Sequence, residues 1–200
     1  MDLFNPDIVQ NILPYEGEVV YHGLVLNKEQ CASYYQNLFN EIPWEHDQAI
    51  VFGKHYTTKR KVAWFGDEEY SYKYSGVVKQ AHIWTKELLE LKKIVEEISG
   101  ATYNSCLLNL YHTGEEGMAW HSDGEKSLEN NGTIGSLTLG ATRKFSFKHK
   151  NTKDKVDIIL EEGSLLLMKG TTQKNWLHRL PPTKKVHTPR INLTFRTIVL

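Results

Sequence analysis

The chain has 200 residues, 40% of them hydrophobic and 24% charged, which suits one ordinary core and argues against two substantial domains. Its 24 lysines and arginines balance 24 aspartates and glutamates, so no overall charge drives it onto phosphates, and any affinity for nucleic acid has to come from local patches. No apolar stretch reaches membrane-span length, the start is acidic where a signal peptide is basic, and Cys31 and Cys106 lie in apolar or amphipathic contexts; we expect a cytoplasmic protein, or a nuclear one in a eukaryote, whose thiols pack rather than react.

Residues 1–20 read as an N-terminal extension to a single domain over 21–200. Asn27 with Gln30 three residues on resembles a capping box and predicts a helix carrying Cys31, Tyr34, Tyr35, Leu38 and Phe39. A basic segment follows, with Lys54, His55, Lys59, Arg60 and Lys61, and then Tyr70, Tyr72 and Tyr74 alternate as on a strand. Thr85 predicts the cap of a second helix with Leu88, Leu91, Val95 and Ile98 on one face, ended by Gly100. Beyond Gly100 the segments at 105–111, 134–139, 144–147, 156–160, 164–168 and 190–199 are short, β-branched or aromatic and separated by Gly, Asn and Pro. Helices first and short strands afterwards predict an α+β fold: helices over 21–100 covering one sheet of a jelly roll at 101–200. A second basic patch, with Arg143, Lys144, Lys148, His149, Lys150, Lys153 and Lys155, falls in that part; solvated loops or strand edges account for either patch equally well.

The chemistry begins at Trp-His-Ser-Asp-Gly-Glu, 120–125, where His121 and Asp123 are spaced to share a cation. Two imidazoles and one carboxylate on one face of iron(II) leave three positions for a chelating co-substrate and dioxygen, so a third ligand is required. His149, His178 and His187 all lie downstream, and spacing alone does not choose; His149 sits among lysines, whereas His178 lies between two strands at the mouth of a barrel, which favours it. In the last strand Arg190, Asn192, Thr194 and Arg196 share one face and Ile191, Leu193 and Phe195 the other. The polar face either meets water or lines a barrel interior built for a dianion, where an arginine fork grips a carboxylate. Asn109 and Tyr111 share a face in the same manner.

Together, Asn-x-Tyr, His-x-Asp, a distant His and Arg-x-Asn-Leu-Thr-Phe-Arg resemble the AlkB-like nucleic-acid dealkylases over about Asn104 to Val199. Gly-Ala-Thr-Arg-Lys-Phe-Ser-Phe-Lys-His-Lys, Gly-Ser-Leu-Leu-Leu-Met, Val-Phe-Gly-Lys at 51–54 and Tyr-Ser-Tyr-Lys-Tyr-Ser-Gly at 70–76 are similar to the branch that repairs double-stranded DNA. The resemblance implies a double-stranded β-helix with a nucleotide-recognition lid in 21–100, and it implies iron(II) at His121, Asp123 and His178. Asn109, Tyr111, Arg190, Asn192 and Arg196 would hold 2-oxoglutarate, with Thr194 nearby. It further implies a substrate site of Phe52, Gly53, Lys54, Tyr72, Tyr74 and Glu125. Phe52 would fill the gap left by a flipped base, Tyr74 would stack the base against His121, and Glu125 would favour the positive charge of 1-methyladenine or 3-methylcytosine. The implied reaction is oxidative demethylation with dioxygen, releasing succinate, carbon dioxide and formaldehyde.

The expected partner is methylated DNA, duplex as well as single-stranded, met by a monomer without a membrane. A 2-oxoglutarate oxygenase acting on RNA or protein would share the iron residues, and a non-catalytic jelly-roll module binding nucleic acid would show a broken triad. The intact triad counts against the second, and the basic run with its aromatic neighbours favours nucleic acid over peptide.

Overall fold

The computed structural model describes residues 10–51, 54–74, 77–125 and 127–199. The first strand, β1 (Glu18–Leu24), precedes α1 (Lys28–Glu41); β2 (Glu45–Val51), β3 (Lys54–Gly66), β4 (Ser71–Tyr74), β5 (Val77–Gln80) and β6 (His82–Ile83) lead to α2 (Lys86–Ser99). The second half runs β7 (Ser105–Tyr111), β8 (Met118–His121), β9 (Ile134–Gly140), β10 (Arg143–His149), β11 (Lys155–Leu160), β12 (Ser164–Lys169), α3 (Thr172–Asn175), β13 (Trp176–Leu180) and β14 (Arg190–Arg196). Among the described residues no helix is long and apolar enough to cross a membrane.

The two long helices, α1 and α2, start where side chains satisfy the free amides of a first turn. Asn27 accepts from Gln30 N while the Gln30 side chain accepts from Asn27 N, and Thr85 accepts from Leu88 N. After α2 the chain turns at Gly100, φ 68°, a left-handed backbone that costs glycine little. Leu38, Leu88, Leu91 and Val95 are fully buried against one face of the major sheet.

That sheet has the order β1-β12-β9-β14-β7-β3-β2, with β6 pairing β3; a smaller one has the order β11-β10-β13-β8, and β4 and β5 form a two-stranded sheet. The two larger sheets form the jelly roll. Side-chain alternation sorts the major sheet: Cys106, Leu108, Leu137, Leu139, Ile191, Leu193 and Phe195 join the core under the helices, while their neighbours Asn109, Ser136, Thr138, Arg190, Asn192 and Thr194 are buried on the opposite, inter-sheet side. The polar face of β14 therefore turns inward.

Several elements escaped the sequence reading. Residues 10–20, set apart there as an extension, pack into the fold: Leu13 and Val19 are buried with Phe147 and Trp176, and β1 pairs antiparallel with β12. The basic run Lys54 to Lys61 forms the first part of a 13-residue strand, where it pairs with β2, and the strand adds to the major sheet through β7 from Lys61 onward. His149, one of the three candidate third ligands, lies buried under that N-terminal segment; its Nδ1 accepts from Thr152 N at 3.1 Å, so Nε2 donates to Glu16 at 2.9 Å. Cys31 and Cys106 are free and buried, and burial raises both thiol pKa values, as expected of packing thiols.

Candidate active site

β8 and β13 are neighbours in the smaller sheet, and their register pairs His121 directly with His178. Residues on directly opposed positions place their side chains on the same face, so two imidazoles 57 positions apart converge, Nε2 to Nε2 at 3.1 Å. Asp123, just beyond the end of β8, brings its Oδ1 to 3.8 Å from His121 Nε2. Among the described residues His121, Asp123 and His178 form the cluster able to hold a metal, with ligand atoms all within 4.8 Å of one another. His187 is exposed and is not in it.

The electrostatics suit a cation. His121 Nδ1 lies 2.9 Å from Ala119 O, a bond that requires the proton on Nδ1 and leaves Nε2 facing its two partners. Burial lowers the His178 pKa to about 3, so this ring is neutral at physiological pH. Burial opposes charge on Asp123 too, yet Arg196, with His178 and His121, outweighs it and holds the carboxyl below its usual range. Two imidazoles and a carboxylate, with further positions facing a cavity, match a facial set for iron(II).

The cavity has a volume of 460 Å³ and runs between the two sheets. Arg190 and Arg196 stand at opposite ends of β14 in its wall, roughly 20 Å apart by strand rise. At the Arg190 end, the guanidinium donates to Asn192 Oδ1 at 2.7 Å and Thr138 Oγ1 at 2.9 Å, with the Tyr111 ring centroid 5.7 Å away. These hydrogen-bond partners are neutral, and Arg190 is 2% exposed; burial lowers its pKa to about 10. A guanidinium buried among neutral groups lacks an anion. Asn109 Oδ1 and Arg190 Nε are buried in the same region without hydrogen-bond partners. A dicarboxylate co-substrate fits this donor-rich end. Asn192 Nδ2 donates to Thr194 Oγ1 at 3.0 Å, completing a row that Ser136 buttresses through Asn192 Oδ1 at 3.1 Å.

At the other end Glu125 lines the cavity, half-buried, with Oε2 lacking a partner; Trp64 and Tyr70 are nearby, their rings stacked at 6.2 Å. Arg196 does not join the Arg190 cluster. It pairs with Asp123 instead. Tyr72 and Tyr74 occupy alternate positions of β4, and the strands that flank Phe52 and Gly53 pair Val51 with Lys54. Phe52 and Gly53 themselves, and the side chains of Lys54, Tyr72 and Tyr74, lie outside the described residues. The sequence reading missed Ser136 and Thr138, whose alternation in β9 was a legible signal, and Trp64, for which there was none; Tyr70 was read only as alternating with Tyr72 and Tyr74 and was not assigned to the site.

Comparison with known proteins agrees with this geometry. The model of the 2OG-Fe(II) oxygenase superfamily matches residues 17–196. The chain belongs to this superfamily. Its relatives in the superfamily include human DNA oxidative demethylase ALKBH2, 34% identical over 196 residues, covering 92% of this chain and 75% of the relative. Human alpha-ketoglutarate-dependent dioxygenase alkB homolog 3 is 37% identical over 172 residues, covering 82% and 60%; the Bos taurus protein of that name is 37% identical over 179, covering 85% and 62%. The chain thus spans about three-fifths of the length of the alkB homolog 3 relatives. A solved structure titled as OsALKBH1 superposes with TM-score 0.65 at 15% identity over 92% of this chain and 98% of that one, the same fold. As an AlkB-like oxygenase the chain has a fold whose interior, not its surface, carries the polar strand face.

Proposed function

We propose that this oxygenase oxidatively removes N-methyl groups from alkylated bases in DNA, with 1-methyladenine and 3-methylcytosine as the model lesions, using iron(II), 2-oxoglutarate and dioxygen. The observation that carries the reading is the single cavity that joins three features: an anion-seeking end at Arg190, the His121–Asp123–His178 cluster, and an aromatic and carboxylate end at Trp64, Tyr70 and Glu125. The relatives named as DNA oxidative demethylases support the substrate class.

When bound, iron(II) with 2-oxoglutarate supplies the oxidation of an unactivated methyl C–H bond by dioxygen. His121, Asp123 and His178 would hold the metal. Arg190 grips the distal carboxylate of the co-substrate, while Asn109, Tyr111, Asn192 and Thr194 orient the rest, with Arg196 acting through Asp123. At the other end the unpartnered Glu125 oxygen favours a cationic methylated base, and Val62, Leu107 and Leu128 in the wall exclude water around it. A base inside a duplex has to be flipped to enter, which loss of pairing makes cheaper for a lesion. Phe52, Gly53 and Lys54, with Tyr72 and Tyr74, are the residues we assign to DNA beyond the cavity. We read the protein as acting as a monomer on duplex and single strands.

Mass spectrometry of methylated single- and double-stranded oligonucleotides, DNA and RNA, incubated with enzyme, iron(II) and 2-oxoglutarate tests this. Loss of 14 mass units per lesion is expected on DNA, and none with His121→Ala. Turnover confined to RNA, or succinate formed without loss of methyl from any oligonucleotide, would reassign the substrate.

A further inference from the structure

His121 is fixed by the β8–β13 ladder, but that ladder ends at the His178–His121 pair, and residues 122–125 have no regular structure. Asp123 is buried, yet the loop around it is flanked by open space. Ser122, Asp123 and Glu125 line the catalytic cavity on one side and a second cavity, of 530 Å³, on the other. A ligand loop with open space on both sides keeps its position only through specific polar contacts.

Besides the ion pair of Arg196 with the Asp123 carboxylate, those contacts converge on Gln173. Its side-chain Oε1 accepts from the Asp123 backbone N–H at 2.9 Å, an arrangement that fixes the amide orientation because the donor is a main-chain N–H. Its own main-chain oxygen accepts from Lys150 Nζ at 2.9 Å, and the same ammonium donates to Ser122 Oγ at 3.1 Å. One residue thereby binds Asp123 directly and Ser122 through a lysine. Gln173 lies in α3, five positions before His178, and α3 is itself anchored: the buried Thr172 hydroxyl accepts from Glu18 N at 2.9 Å and donates to Lys169 O at 2.6 Å.

We propose that Gln173, with Lys150, is a positioning residue that clamps the Asp123 loop to the segment leading into His178, so that the ligand set is organised before the metal arrives. The inference rests on the reading of His121, Asp123 and His178 as the metal ligands. Partners that orient ligands from behind typically account for about 10- to 100-fold in metal affinity. Gln173→Met keeps the length and loses the acceptor; Gln173→Glu keeps an acceptor for the Asp123 amide. Lys150→Met removes the bonds to Ser122 and to the Gln173 main-chain oxygen and leaves the Gln173–Asp123 bond in place.

The test is Mn(II) binding to the full chain freed of metal, followed by loss of the free-ion electron paramagnetic resonance signal, with thermal unfolding of the same proteins in EDTA. Expected are one site in the wild type, a dissociation constant raised about tenfold or more by Gln173→Met, a smaller rise for Lys150→Met, and near wild-type affinity for Gln173→Glu. The metal-free melting temperatures should stay together, since the clamp orders a loop rather than the core. Equal affinity of Gln173→Met and wild type overturns the clamp, as does Gln173→Glu binding as weakly as Gln173→Met. Absence of a site in the wild type overturns the ligand reading, and the clamp with it.

Discussion

Arg196 Nη2 lies 2.9 Å from Asp123 Oδ2, and the two side chains are 15% and 4% exposed. This ion pair joins the last strand of the major sheet to the loop after the smaller sheet's edge strand. It also holds the carboxylate ionised without a metal.

The pair predicts an unusual coupling. Arg196→Leu leaves a buried carboxylate uncompensated in the metal-free protein, a loss of about 3 to 5 kcal/mol or roughly 10 °C in Tm. A bound dication supplies the missing positive charge. We therefore expect Mn(II) to raise the Tm of this variant further than that of the wild type. A metal-free Tm equal to wild type, together with a higher 2-oxoglutarate requirement, would instead place Arg196 on the co-substrate.

Arg190 contrasts with Arg196, since its hydrogen-bond partners are neutral. Arg190→Lys should raise the 2-oxoglutarate concentration needed for half-maximal turnover by about tenfold or more, because a point charge does not reproduce a planar fork. Isothermal titration with the co-substrate checks it. Unchanged co-substrate affinity with reduced action on DNA would move Arg190 to the substrate side.

The neutrality of His178 makes stability depend on pH. Its folded pKa, about 3, lies below the ordinary 6.5, so between these values the unfolded chain takes up a proton that the folded one refuses. Stability from this group is complete above pH 6.5 and is lost as the pH falls towards 3, at about 1.4 kcal/mol per pH unit. The lowered Asp123 pKa acts in the same direction, but only below the ordinary carboxylate range. Denaturant unfolding in EDTA between pH 6.5 and 4.5 should show a slope smaller by about that amount in His178→Gln. Parallel profiles for the two proteins would contradict it.

Phe52 follows Val51, which pairs with Lys54 across β2 and β3, at the edge of the major sheet. Taken with the resemblance of Val-Phe-Gly-Lys to the duplex-repairing branch, this predicts that Phe52→Ala slows demethylation in a duplex about tenfold or more, with single strands and Tm little changed. Equal losses on both substrates would return Phe52 to the core.

The features legible in the sequence are the local ones. The Asn27–Gln30 box and the Thr85 cap are contacts over three residues, and the alternation of Arg190, Asn192, Thr194 and Arg196 is a property of one strand; all appear in the structure as read. Less local pieces were missed. β1 was hidden because its Gly23 and polar neighbours break the alternation, and β3 because its lysines and arginine resemble a solvated loop until β2 pairs with that basic run and β7 with the residues from Lys61 onward.

By itself the sequence determined which residue types were available: an imidazole and carboxylate two apart, three later histidines, a strand with one polar face. Only the tertiary structure decided among them. The pairing of β13 with β8 sets His178 opposite His121, whereas the covering of β10 by the N-terminal segment commits His149 to Glu16. The register of β14 between β7 and β9 sets Arg190 and Arg196 at opposite ends of one cavity, where they meet different partners. Side-chain direction along a strand follows from backbone geometry within a few residues, but contact between residues 50 or more apart depends on which strands pair and in what register, and that is fixed by burial of the whole core.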